Sequence, residues 1–424
     1  MDGGRGGCGK RGRIAEWHLG MTLGADSGFP LRWPVLLGSV GVGALSFLLP
    51  IYARQIGASA LEIGGLFSIF SVFSLALRPI IGWAGDRLGR KVFFTTGLVG
   101  YALAMALFAV AYSVPVLYLA RVVQGLGSGL LWGSAYGLAI DLASAGQRGR
   151  AVGLVDETSS RGTLYGSVLG FLWLVWIPIR AGWIALFVLF SALAAVAALL
   201  AGSKVPEARP SRSFGAFGLS TLSVPLIHLL VLVAIASVPA TMLPPIVIIY
   251  LQDVFRGQAL PWEYLLPVES RGYALVGLAL LPGALMYALL PSRFGHLSDS
   301  FGRLPMMTAG LLMAGTATAF LPGRSDLFWL VLLLSLESLA LVAAMPALEA
   351  LVADLARQDV RGTWYGLYTT AAGLGALFGP LFGGWLYDAV GQGAPFYVGA
   401  FVLLTLAAYL LSPWGRRMLG IGSV

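Results

Sequence analysis

The sequence predicts an all-α integral membrane protein, with twelve transmembrane helices arranged as two pseudo-symmetric six-helix bundles. Three observations lead there. Of the 424 residues, 58% are hydrophobic and only 11% are Asp, Glu, Lys or Arg, against about 25% charged residues in an ordinary soluble domain. Apolar runs of about 20 residues recur along the chain, each long enough to cross about 30 Å of hydrocarbon as a helix. Charged and glycine positions also repeat at one spacing. Gly82, Asp86, Gly89 and Arg90 return 213 residues later as Gly295, Asp299, Gly302 and Arg303.

The runs are continuously apolar, without the alternation over about ten residues of a barrel strand, so helices are favoured. Spans are expected at roughly 33–53, 60–84, 92–113, 116–140, 151–177, 181–202, 225–250, 272–293, 305–322, 327–352, 362–387 and 394–413. Residues 1–30 are Gly- and Arg-rich without a signal-type apolar stretch and read as a disordered, basic cytosolic tail. Residues 31–202 and 223–415 form the two bundles, 203–222 a polar cytosolic linker, and 416–424 a second cytosolic tail. Pro50 aligns best with Pro245, so the second bundle carries extra residues in an outer loop near 252–272, with Trp262, Glu263, Tyr264 and Glu269.

A net charge of +8 could suggest nucleic acid, but the placement of the basic residues argues for membrane lipid. With twelve spans and a cytosolic amino terminus, only Arg54, Arg180, Arg256, Arg271 and Arg324 fall in the opposite loops. Arg78, Arg121 and Arg161 fall inside spans. That asymmetry follows the positive-inside rule, puts both termini in the cytoplasm and points to the cell (inner) membrane. No nucleic-acid partner is needed. Cys8 is the single cysteine, so no intrachain disulfide forms. The sequence holds no P-loop, metal cluster or GxSxG, and no cofactor, metal or catalytic residue is expected. The chain therefore does not read as an enzyme, and transport would draw on a gradient rather than ATP.

The repeat runs on beyond its first copy. Asp141 matches Asp354, Arg148 matches Arg361, and Gly162, Gly166 and Gly170 match Gly375, Gly379 and Gly383. In Gly82–Lys91 (GWAGDRLGRK) the glycines allow close backbones and turn conformations. Asp86, followed by Arg87, can accept hydrogen bonds at a neighbouring helix start, and Arg90 and Lys91 suit an anionic surface. This decapeptide resembles the loop 2–3 motif of the major facilitator superfamily (MFS). Two six-helix halves and a weaker second copy are also similar to that superfamily. The resemblance implies the MFS fold and a carrier that alternates access between the two sides. It also implies that Asp86 and Arg90 with Asp141 form a charge cluster latching the halves when the carrier is open to the outside. Asp299, Gly302 and Arg303 with Asp354 would be its second-half counterpart.

Leu117–Gly129 (LYLARVVQGLGSG) resembles the family's fourth-helix motif, whose Arg is linked to proton movement. Arg121, Gln124, Ser128, Trp132 and Tyr136 share one helical stripe about 120° wide. Gly375–Gly384 (GALFGPLFGG) looks like the GPxxGG element that proton-driven antiporters carry on the fifth helix. Here it lies on the eleventh, with Ser167 in the fifth-helix position equivalent to Pro380.

Arg121, Asp156, Glu157, Arg161, Glu337 and Glu349 stand inside spans. Exposed to lipid at about 2.5–3.5 kcal/mol each, they would cost on the order of 15–20 kcal/mol together, so they must pair or line a wet path. Glu157 and Arg161 have the favourable i,i+4 order, and Glu337 is the second-half equivalent of Gln124. The resemblance makes the fourth, fifth and tenth helices line the central path, where the six should converge. Four carboxylates against two guanidiniums leave a negative balance, suited to binding protons or a cationic cargo. The reading is a secondary active transporter moving a small organic molecule, with protons as the coupling ion and efflux as the direction. Glu337 would carry the proton and Arg121 or Arg161 be its switchable partner. Its rivals are an uptake symporter or uniporter of a metabolite, and a non-transporting receptor or scaffold.

Overall fold

The computed structural model describes residues 29–143, 147–177, 179–207, 224–265, 272–355 and 361–418. Among them no strand occurs. The first half comprises α1 (Arg32–Gln55), α2 (Ala60–Leu88), α3 (Arg90–Ala109), α4 (Val114–Leu142), α5 (Arg148–Trp176) and α6 (Ile179–Lys204). The second comprises α7 (Val224–Val254), α8 (Tyr273–Leu289), α9 (Pro291–Phe301), α10 (Arg303–Phe320), α11 (Leu327–Leu355), α12 (Arg361–Ala389), α13 (Ala394–Leu411) and α14 (Pro413–Met418).

By length and apolarity alone, α1, α2, α3, α4, α6, α7, α11 and α13 contain stretches able to cross a membrane. The apolar α8 runs into α9 across Leu290, and α5, α10 and α12 complete twelve rods, with α14 a short foot. The all-helical membrane fold in two six-helix halves is therefore realised. The packing is also doubled. The contacts α1–α5, α1–α6, α2–α4, α3–α4 and α3–α6 recur as α7–α12, α7–α13, α8–α11, α10–α11 and α10–α13. A Cβ added to Gly166 of α5 would collide with the Val40 carbonyl of α1; one added to its repeat partner Gly379 of α12 would meet the Val238 carbonyl of α7. Small residues let these helices close to backbone contact, the packing that works in hydrocarbon.

The structure differs from the sequence reading at the repeated turn. The stretch from Gly82 is not a loop, because α2 stays helical through Leu88. The turn shrinks to Gly89 alone, with φ 88° and ψ 140°, and α3 starts at Arg90. Gly302 repeats it at φ 92° and ψ 143°, with α10 starting at Arg303. A residue with a Cβ is strained at such φ values. The duplicated sequence is thus a duplicated backbone. The eighth span likewise breaks at Leu290, just before the Pro291 that starts α9.

Gly89 and Gly302 mark one end of the bundle, here the turn end. At the far end the two halves are joined. Arg54 of α1 lies 3.1 Å from Asp253 of α7, and Gln55 donates to the hydroxyl of Tyr273. Gly64 of α2 rests on the Pro380 carbonyl, Gly384 of α12 on that of Ala60, and Gly277 of α8 on the ring of Phe171 of α5. At the turn end, a Cβ on Gly153 of α5 or Gly295 of α9 would have nothing within 4 Å. The helices α5 and α8–α9 thus meet at the far end and face open space at the turn end.

The extra segment after α7 is built around one buried acid. Glu263, with no exposed surface, sits in a 3-10 turn, Pro261–Leu265. Its carboxylate accepts from the amides of Leu260 at 2.5 Å, Gly272 at 2.9 Å and Ala274 at 3.2 Å, where α8 begins and its dipole is positive. The Trp262 side chain and all of Glu269 lie outside the described residues. Glu263→Ala leaves three amides without that acceptor and is expected to cost about 2–4 kcal/mol locally. Hydrogen exchange across 260–276 should accelerate accordingly, while exchange in α1–α6 stays unchanged.

Candidate functional site

At the turn end, Arg90 opens α3 and reaches across to α4. Its Nε lies 3.3 Å from Asp141 Oδ2, and both side chains are largely buried. Gly137 makes this possible, because a Cβ there would occupy the place of the Arg90 guanidinium. In the second half, Arg303 opens α10 and donates to the Ala350 carbonyl of α11; Ala350 is the repeat equivalent of Gly137. Its approach to Asp299 is looser, 3.8 Å, with the acid well exposed. Arg87 is exposed and Lys91 half-buried. The side chains of Asp86 and Asp354 lie outside the described residues. Glu207, just past α6, places its carboxylate against Gly89.

In the first third of α4, nearer the far end, Arg121 is only 4% exposed and Gln124 fully buried. Arg121 donates to Gln124 Oε1 at 2.8 Å. Its guanidinium lies over the rings of Phe67 and Phe70 of α2 and Phe108 of α3, at 4.7, 5.4 and 5.9 Å. Cation–π contact offsets part of the cost of a buried charge. Among the described residues, Arg121 Nε and Gln124 Nε2 carry no hydrogen bond.

The rest of the α4 stripe faces neighbouring helices, not lipid. Ser74 of α2 donates to Ser128 at 3.0 Å. Trp132 donates to the hydroxyl of Tyr101 of α3 at 3.2 Å, and Tyr136 to Asp156 of α5 at 2.6 Å. One turn further along, Arg161 donates to Glu157 across the i,i+4 spacing, both about half exposed. Such an exposed pair contributes little to stability.

Glu337 of α11 is 8% exposed and lies beside Thr318 of α10 and Tyr287 of α8. Among the described residues it has no ion pair. The Glu349 side chain lies outside them. In this conformation the charges expected on one path stand as separate groups: Arg121–Gln124 in the first half, Tyr136–Asp156 and Arg161–Glu157 along α5, and Glu337 in the second half. Sequence reasoning missed Gly137, Phe67, Phe70 and Tyr101. Gly137 lies at helical spacing from Asp141 on α4, but nothing local showed that a guanidinium would lie on it.

Such an arrangement can hold a desolvated positive group and a desolvated carboxyl in different halves of a molecule closed at one end. No metal-ligating cluster occurs among the described residues.

The profile of the Major Facilitator Superfamily matches residues 35–283 and 229–417. Over 142 residues the chain is 27% identical to the quinolone resistance protein NorA of Staphylococcus aureus, a stretch covering 34% of this chain and 37% of that protein. The chain thus spans little more than a third of NorA. It is 22% identical over 382 residues to multidrug resistance protein 1 of Bacillus subtilis, covering 90% and 94% of the two chains. Among solved structures it is similar to a bacterial homologue of the human lysosomal transporter Spinster, inward-facing and occupied. That match has a TM-score of 0.64 and 17% identity, over 92% of this chain and 95% of the other. It is also similar to the nucleoside transporter NupG, with TM-score 0.67 and 12% identity, over 93% and 99%. At these identities the structures share the fold.

Proposed function

Because this chain belongs to the major facilitator superfamily, and is thus a membrane transporter rather than an enzyme, we propose that it exports small organic, amphipathic compounds by proton-coupled alternating access. The observation that carries the coupling is Glu337, a carboxyl buried in α11 without an ion pair among the described residues. An anion there is expensive, and taking up a proton removes that cost. In the state with the halves parted at the far end, Arg121 or Arg161 is its switchable partner. Efflux is favoured over uptake by the two resistance proteins that the chain resembles.

The turn end is assigned to the cytoplasm, with both termini there, from the distribution of Lys and Arg. The conformation is then open inward, ready to load cargo from the cytoplasm or the inner leaflet. Rings beside the path, Trp132 and Tyr136 among them, offer stacking and cation–π contact to an aromatic or cationic cargo. Uptake of a sugar, organic acid or other metabolite, by symport with the proton or by uniport, is the second reading.

The test is proton release or uptake by purified protein in weak buffer, as dyes, quinolones and metabolites are added in turn. A compound-dependent proton signal that disappears in Glu337→Gln supports coupled transport. The absence of a signal at any pH, from protein that still binds a compound, overturns the coupling and leaves a uniporter.

A further inference from the structure

Resting on that alternating-access reading, we infer that Asp388, at the far end of α12, is a latch that holds the outer side shut by capping the start of α2 in the opposite half. A helix start leaves its first N–H groups without partners in the helix. In α2 these donors are shared between two sources. Ser59 and Glu62 form a capping box within the half: Ser59 Oγ accepts from the Glu62 amide at 3.1 Å, and Glu62 accepts from the Ser59 amide at 2.8 Å. The next two donors go across the interface. The Ala60 amide donates to Asp388 Oδ1 at 3.2 Å, and the Leu61 amide to Asp388 Oδ2 at 2.7 Å.

This carboxylate thus binds both amides while sitting on the positive end of the α2 dipole. Its neighbour Tyr387 donates to Asp253 at 2.7 Å, and Asp253 also takes Arg54 of α1. Two adjacent residues of α12 therefore tie α1, α2 and α7 together at one point. Backbone contacts of Gly64 with Pro380 and Gly384 with Ala60 hold α12 close enough for the bonds to form. None of these residues belongs to the repeated turn. Because α2 and α12 run antiparallel, Asp388 lies at the opposite end of the pair from the Gly89 turn. Each end of the α2–α12 pair then has its own carboxylate at a helix terminus: Asp86, on sequence grounds, when the inside is shut, and Asp388 when the outside is shut.

When the outside opens, Ala60 and Leu61 exchange Asp388 for water. Asp388 is exposed, so screening limits the bias to roughly three- to tenfold in the ratio of outward-open to outward-closed protein. The experiment is double electron–electron resonance on the full chain in nanodiscs, with Cys8→Ser removing the native thiol. Spin labels at Tyr112 and Val390 report the far end, and labels at Leu88 and Phe301 the turn end; all four side chains are exposed. Each pair is measured with and without ethidium.

Asp388→Ala should raise the long-distance population of the far-end pair three- to tenfold and shorten the turn-end pair in step, with Asp388→Asn in between. Ala60→Pro should act in the same direction, because it deletes one donor while proline is tolerated at a first helical position. It decides the matter if Asp388→Ala does not fold. If the wild type exchanges between two distances but neither variant shifts the populations, the latch is overturned and alternating access stands. If the wild-type pairs hold single distances with and without ethidium, alternating access fails and the latch fails with it.

Discussion

In proteoliposomes, Glu337→Gln is expected to abolish dye efflux driven by an imposed pH gradient, lowering its initial rate by about a hundredfold or more. Exchange of the same dye across the membrane without a gradient should survive. The separation follows from position. Glu337 is 8% exposed in α11, in the half opposite Arg121, and the described residues give it no ion pair. Gln keeps the shape and a hydrogen-bonding oxygen but cannot exchange a proton, so the cycle runs without the gradient. A purely structural role gives a different pattern, with both assays falling together alongside loss of folded protein. Efflux that still follows the pH gradient in the variant would rule out Glu337 as the proton carrier.

The second large effect is expected at Gly137. Leu there occupies the place of the Arg90 guanidinium on α4 and breaks the contact with Asp141, which is 2% exposed. Removing one partner of a buried pair costs about 3–5 kcal/mol, so transport should fall by at least tenfold even in protein that reaches the membrane. Ala350→Leu at the equivalent site should be milder. That position already carries a Cβ, and Arg303 bonds the backbone carbonyl there instead of lying over the helix. Transport in everted vesicles, normalised to folded protein, ranks the two. An equal or reversed order would show that the first-half cluster is not the stronger latch.

The fold was legible because hydrocarbon imposes long apolar runs and because duplication leaves charges at a constant spacing. Asp86 and Arg90 with their copies Asp299 and Arg303 showed where the halves correspond, and Gly89 with Gly302 turned out to share a backbone conformation. The extent of the turn was misread. A run of Gly, Asp and Arg looks like a loop, yet it continues α2 until a positive φ is required. The pairing of Glu157 with Arg161 was readable from i,i+4 spacing alone. Partners supplied by other helices were not. The Phe67, Phe70 and Phe108 rings around Arg121, the Tyr101 hydroxyl beneath Trp132, and Asp388 at the start of α2 all depend on how helices distant in sequence come together.

The single-residue joints at Gly89 and Gly302 have a mechanical consequence. A longer connection would let one helix tilt while its neighbour lagged, taking up the difference as slack. Here α2 ends and α3 begins around one α-carbon, as α9 and α10 do, so rotation of the first member is handed at once to the second. Each half therefore has little slack at its elbow, and a tilt of one helix is expected to carry its neighbour with it.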